Sequence, residues 1–243
     1  MRVSAAVQPC CSFGAYNLAR LDRTLADLFA YIDKKVGLAN TLIVLSADHG
    51  QPEVPGHLHE MGIDKAHYFD TKAMDKAPAI AALKKQFGIG EELIKAYFHP
   101  YLYLNHDLIN DKGLDQAAVE QAVAVELLRF DGVAYAVSST ALRTANLPDL
   151  RNFHPKRSGD IYLVFEPNVF INDFDGLTVV STHGAPWLYD TFVPVIFAGA
   201  GLPASIVTRP VTPYDIAPTL AAYLNVKPPS GAIGTPLLEI LGQ

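Results

Sequence analysis

Apolar residues recur at steps of three and four between residues 18 and 36. Leu18, Leu21, Leu25, Leu28, Phe29, Ile32 and Val36 share one face, which predicts an amphipathic helix ended by Gly37. Residues 41–47, TLIVLSA, are apolar on both alternating faces and too short for a helix, so they predict a buried, parallel strand. Asp48-His49-Gly50 closes that strand, and a Pro/Gly/His-rich loop runs to about Ile63. Helical patterning fills 75–97, split by Gly88 and Gly90, and YLYLN at 101–105 predicts a strand. A helix is predicted over 115–129, with Ala118, Ala122, Val125 and Leu128 as its apolar face. VAYAVSS (133–139), IYLVFEP (161–167) and TFVPVIFAG (191–199) predict further strands, and Thr212–Leu224 a helix opened by Pro213.

Helices and strands alternate, which predicts the α/β class with a mostly parallel sheet flanked by helices. No internal repeat or linker divides the chain. The expected organisation is therefore an irregular segment over 1–17 and one domain over 18–243.

Composition narrows the function classes. Half of the 243 residues are hydrophobic and only 18% are charged, so a sizeable core is available and a disordered scaffold is excluded. Lys plus Arg number 19 against 25 Asp plus Glu, a net charge of −6 that argues against a broad nucleic-acid-binding surface. The two cysteines, Cys10 and Cys11, are adjacent, which provides neither a disulfide framework nor a zinc knuckle. No apolar run approaches the ~20 residues of a membrane span. The apolar patch at the N-terminus is short and broken by Gln8 and Pro9, so no signal peptide is read there.

Two short stretches carry candidate chemistry. In Ser46-Ala47-Asp48-His49-Gly50, a carboxylate and an imidazole stand at the end of a strand, where open α/β sheets collect ligands, and these are donor types that zinc accepts. The alternative is an Asp that caps the next segment beside a half-buried His49. In THGAPWLYD (182–190), His183 again precedes a glycine ahead of a buried strand; alone it reads as structural or as a metal ligand. Together the two His-Gly turns predict a shared crevice. Asp48, His49 and His183 are expected at the carboxyl ends of strands of one sheet, converging within about 8 Å, the span of two metals ~4 Å apart plus ligand bonds. Asp190 is a candidate for orienting His183. His57 and His59 read as solvated loop residues, as do Lys156 and Arg157, while His67, His99 and His106 read as structural.

The combination of ADHG after an apolar strand with THGAPWLYDTFVPVIFAG at 182–199 resembles the alkaline phosphatase superfamily. The similar branch is that of single-domain alkaline phosphatases, type I phosphodiesterases and nucleotide pyrophosphatases. Arg20-Leu21-Asp22, HPKRSGDIY at 154–162, PYDIAPTLAAYL at 213–224 and GTPL at 234–237 also fit. The resemblance implies an alkaline-phosphatase-like core and hydrolysis of phosphate esters through a phospho-enzyme, with two zinc ions as cofactors and a small phosphate ester as substrate. It implies Asp48 and His49 as ligands of the zinc that activates a Thr or Ser nucleophile, and His183 as a ligand of the second zinc.

The family's nucleophile, an aspartate of the first zinc site and an Asp-x-x-x-His element of the second all precede the positions that match here. No histidine occurs before His49 and no aspartate before Asp22; VQPCCSFGAY stands where the element is expected. The chain is therefore expected to be the C-terminal portion of the domain, incomplete on its N-terminal side, open to self-association through its exposed edges, and inactive alone. A different reading is a non-catalytic remnant of the fold with at most one weak metal site; sulfate-ester hydrolysis and phosphoglycerate mutation are further chemistries of the superfamily. The resemblance implies a periplasmic or secreted full-length protein, whereas the visible N-terminus implies a cytoplasmic chain.

Overall fold

The computed structural model describes residues 12–144, 153–174, 176–199 and 201–242. Cys10 and Cys11 lie outside the described residues. The first elements are α1 (Ser12–Lys35), β1 (Leu42–Ser46), α2 (Pro55–Glu60), β2 (His67–Tyr68), α3 (Pro78–Gln86) and β3 (Ile94–Phe98). Next come β4 (Tyr101–Leu104), α4 (His106–Asp111), α5 (Gln116–Leu127), β5 (Val133–Ser138), α6 (Ser139–Thr144) and β6 (Ile161–Phe165). The last are β7 (Val169–Phe170), β8 (Asp173–Phe174), β9 (Leu177–Thr178), α7 (Leu188–Thr191), β10 (Val195–Gly199) and α8 (Ile216–Tyr223).

Helices and strands alternate as expected, and the chain divides into two compact units. One comprises residues 1–48 and 193–243, the other 49–192. The strand directions also correct the sequence reading. Within the first unit β1 pairs antiparallel with β10, Leu42 opposite Gly199 and Ser46 opposite Val195. Within the second, a four-stranded sheet of order β3-β4-β6-β5 is antiparallel throughout, and among the described residues only the two-residue β2–β7 pair is parallel. Nor are β1 and β10 the buried strands expected, since both are half-buried and Leu45 is exposed; an apolar run can pair in either direction, so hydropathy does not encode direction.

In the first unit α1 starts at Ser12, inside the segment expected to be irregular. Its apolar stripe is largely open: Leu18, Leu21, Leu28, Tyr31 and Val36 are exposed, and Leu25, Phe29 and Ile32 half-buried. The C-terminal helix is anchored more firmly. Asp215 accepts the Thr212 amide at 2.8 Å, forming a capping box, and the Thr219 hydroxyl donates to the Asp215 carbonyl while accepting the Leu237 amide.

The second unit holds the main core. Ile80 and Leu83 of α3 and Val119, Val123 and Leu127 of α5 pack with Leu102, Ile161 and Leu163 of the sheet. Each such side chain contributes roughly 1.5–3 kcal/mol by leaving water. The buried face of α5 is thus the 119/123/127 row and not the expected one, since Val125 and Leu128 are exposed. Apolar residues occur on both sides of this helix, and the row with three branched side chains wins the core. Glu120 is fully buried on that face, accepting hydrogen bonds from Ser139, Thr140 and Gln116.

Residues 94–97, expected as helix, lie in the edge strand β3. The buried Asp75 carboxylate accepts the Leu93 and Ile94 amides at 2.9 and 2.8 Å and pairs with Lys84 at 2.6 Å, fixing an extended entry that local propensity does not anticipate. The Pro/Gly/His loop contains a short helix, α2, begun by Pro55.

Candidate active site

Asp48 ends the first unit and His49 opens the second. Ala47 and Asp48, leaving β1, lie at the same end of the β1–β10 ladder as Val193 and Pro194, entering β10. His49 therefore sits just beyond a strand's carboxyl end, as expected. His183 does not: it lies in an irregular segment after β9 and before α7.

Within the second unit His49 and His183 come together. Their rings are stacked, with centroids 3.5 Å apart and planes inclined by 10°. Nδ1 of His49 lies 2.7 Å from the Gly50 carbonyl, which ties that nitrogen to the chain.

Asp190 binds the two His-Gly turns to one another. Its main-chain carbonyl accepts the Gly50 amide at 2.7 Å, and its Oδ2 accepts the Ala185 amide at 2.8 Å. The residue is 4% exposed. Burial pushes its carboxyl above the ordinary range, opposed by the Ala185 and Gly184 amides and by His183 and His49. The main chain at Gly50 passes so close to the Tyr189 carbonyl that any Cβ there would collide with it. At Gly184, φ is +104° and a Cβ would lie 2.5 Å from His99 Nε2. Both turns need glycine, for backbone approach in the first and for conformation in the second.

The segment carrying His183 is fastened to the sheet. Trp187 Nε1 donates to the Phe165 carbonyl of β6 at 3.0 Å, and the Tyr189 ring packs edge-on against Phe170 of β7. Burial pushes the Tyr189 phenol up to about 12. A groove of about 710 Å³ opens beside His183 and Thr182, lined also by Lys72, Tyr97, Phe98 and Asp173.

His99, read as structural in the sequence, lies in contact with this site. Its Nδ1 is 2.7 Å from the Tyr97 hydroxyl. The other histidines are engaged elsewhere: His59 with the Ala66 carbonyl, His57 with Glu60, His67 with the Lys65 carbonyl, His106 with Asp160, and His154 with the Lys156 amide. Lys156 and Arg157 occupy an exposed turn, residues 154–158. The signal that could have singled out His99 is its place next to Pro100 at the end of a strand, two residues after a tyrosine on the same face.

The donor chemistry at the His-Gly turns suits zinc in part. Each turn presents an imidazole, a donor type that zinc accepts. Among the described residues, however, no group of three or more His, Cys, Asp or Glu side chains is placed to hold a metal ion. A zinc site normally takes three protein ligands, so the described residues do not by themselves complete one.

Residues 14–186 match the family of type I phosphodiesterase / nucleotide pyrophosphatase. The chain is 34% identical over 230 residues to a protein named calcium-transporting ATPase from Myroides odoratus, covering 92% of this chain and 41% of that one. It is 32% identical over 233 residues to alkaline phosphatase PafA of Elizabethkingia meningoseptica, again covering 92% and 41%. The crystal structure of wild-type PafA superposes with a TM-score of 0.76 over 90% of this chain and 42% of that one. The chain thus spans about two fifths of the length of the curated relatives it matches, and its fold is that of an incomplete alkaline-phosphatase-like core. With a family match across most of its length and this structural likeness, the chain belongs to the type I phosphodiesterase / nucleotide pyrophosphatase family of the alkaline phosphatase superfamily, a family of phosphoester hydrolases.

Proposed function

We propose that this chain carries part of the metal site of a phosphate-ester hydrolase that works through a phospho-enzyme, and that the nucleophile and the remaining ligands lie outside these 243 residues. The observation that carries this reading is the stacking of His49 on His183, with Asp190 bonded to the turn of each. Far-apart histidines are seldom brought face to face for packing alone, since apolar rings serve a core better.

Asp48 and His49 are assigned to one zinc ion and His183 to a second. Zinc bound there would supply Lewis-acid stabilisation of a phosphoryl oxygen. The chain's own contribution is positional: Asp190 and Gly50 fix the His49 turn, Asp190 and Gly184 fix the His183 turn, and Trp187 locks the second turn to the sheet. The substrate class is a small phosphate ester.

Zinc calorimetry and hydrolysis of an aryl phosphate test the reading. The chain alone is expected to bind zinc weakly and to hydrolyse at background. The N-terminal portion of a relative, added in trans, is expected to raise both zinc content and turnover, and Asp48→Ala or His183→Ala to abolish the gain. Two zinc ions per chain with brisk turnover in this chain alone would overturn the assignment of missing ligands.

A second reading is a non-catalytic remnant that self-associates. It draws on the open apolar stripe of α1 and on the lack of a three-ligand group among the described residues. Absence of rescue by any N-terminal portion, with concentration-dependent light scattering, would favour it.

A further inference from the structure

Two buried side-chain atoms among the described residues have no hydrogen-bond partner in the protein, His99 Nε2 and Asp190 Oδ1. Both residues line the same small cavity, with Thr182, His183 and Gly184. Its volume is about 20 Å³. One water molecule requires roughly 10–15 Å³ and two or more polar neighbours.

The two atoms have complementary roles. Burial drives the Tyr97 phenol far above its ordinary range, so Tyr97 keeps a proton that it can donate to His99 Nδ1 across 2.7 Å. A neutral imidazole that accepts at Nδ1 carries its proton at Nε2. With the phenol donating, His99 Nε2 faces the cavity as a donor and Asp190 Oδ1 as an acceptor. The Gly184 backbone lines the same cavity and passes close to the His99 ring.

We propose that this cavity is a water site, in which one water accepts from His99 Nε2–H and donates to Asp190 Oδ1. The resulting chain runs Tyr97–His99–water–Asp190. It makes His99 a positioning residue: through the water it holds the carboxylate whose other oxygen secures the His183 turn at Ala185 and whose main chain secures the His49 turn at Gly50. The absence of a Cβ at Gly184 is what leaves this space beside His99 Nε2. The inference rests on the geometry of the second unit alone and stands whether or not the chain is part of a phosphatase.

Histidine-selective ¹⁵N labelling of the whole chain tests it at neutral pH. The expected result is a His99 Nε2–H tautomer whose proton exchanges slowly and shows a cross-relaxation peak to a long-lived water. Tyr97→Phe is expected to lose the single tautomer. His99→Phe should speed exchange of the Ala185 amide roughly tenfold, the effect of one lost buried hydrogen bond, while His99→Gln, which keeps a donor, restores slow exchange. An Nδ1–H tautomer in the unaltered chain, or a His99 ring proton with no water contact, would overturn the proposal. So would Ala185 exchange that is indifferent to both His99 variants. The tautomer measurement needs no variant, so the proposal remains testable even where His99→Phe does not fold.

Discussion

His49 and His183 lie ring on ring, 3.5 Å between centroids, although one stands just past β1 and the other just before α7. A stack uses the faces of both rings and leaves their nitrogen-bearing edges for other partners. Stability and ligation at this pair are therefore separable. His183→Phe keeps the stack and removes the nitrogens, so it should change stability by less than about 1 kcal/mol and still abolish zinc uptake in the trans-complemented protein. His183→Ala should lose both. Denaturant midpoints read beside zinc calorimetry check this, and equal zinc uptake in His183→Phe would remove His183 from the ligand set.

Gly50 is the tightest point of the site, because a Cβ there would collide with the Tyr189 carbonyl. Gly50→Ala should break the bond from the Gly50 amide to the Asp190 carbonyl and destabilise the second unit by about 1–3 kcal/mol. Urea denaturation measures this. A midpoint equal to that of the parent would show that the two turns are not bound together as described.

Glu120 is a buried carboxylate surrounded by donors from Ser139, Thr140 and Gln116. Glu120→Ala strands those donors and opens a cavity, so a loss of about 2–4 kcal/mol is expected. Glu120→Gln retains an acceptor and should lose less. Thermal unfolding of the two variants distinguishes a hydrogen-bonded hub from a passive polar residue, for which the two would behave alike.

Arg209 meets Glu239 with two bonds, at 2.6 and 2.8 Å, which hold the Glu239 carboxyl down to about 2. A carboxyl depressed in the folded state adds stability above its unfolded value, and that stability is lost as pH falls from about 4.5 towards 2. The pair is exposed, so salt should weaken it. Glu239→Gln should flatten the acid limb of the stability curve in that window; superimposable curves would show the pair to be inert.

Much of the fold was legible because apolar runs are bounded by turn residues: β1, β4, β5, β6 and α3 fall within the predicted ranges. The His-Gly turns were legible too, since glycine beside a polar residue at a strand end marks a close approach. Three features were not. The direction of β1 and β10 leaves no trace in hydropathy. The strand at 94–98 depends on Asp75, nearly twenty residues away, whose carboxylate pins two amides. His99 owes its role to Tyr97, Gly184 and Asp190 jointly, and only folding brings these together.

Asp190 touches one turn with its main chain and the other with its side chain, five residues along from Ala185. The stretch from Ala185 to Asp190 is therefore a ruler. Substitutions at Leu188, whose side chain is mostly in solvent, leave its length unchanged and should be tolerated. One inserted or deleted residue anywhere in the stretch would shift the carboxylate relative to its own carbonyl and part the two histidines. Among sequences that keep this site, variation between these positions is expected in residue type and never in number.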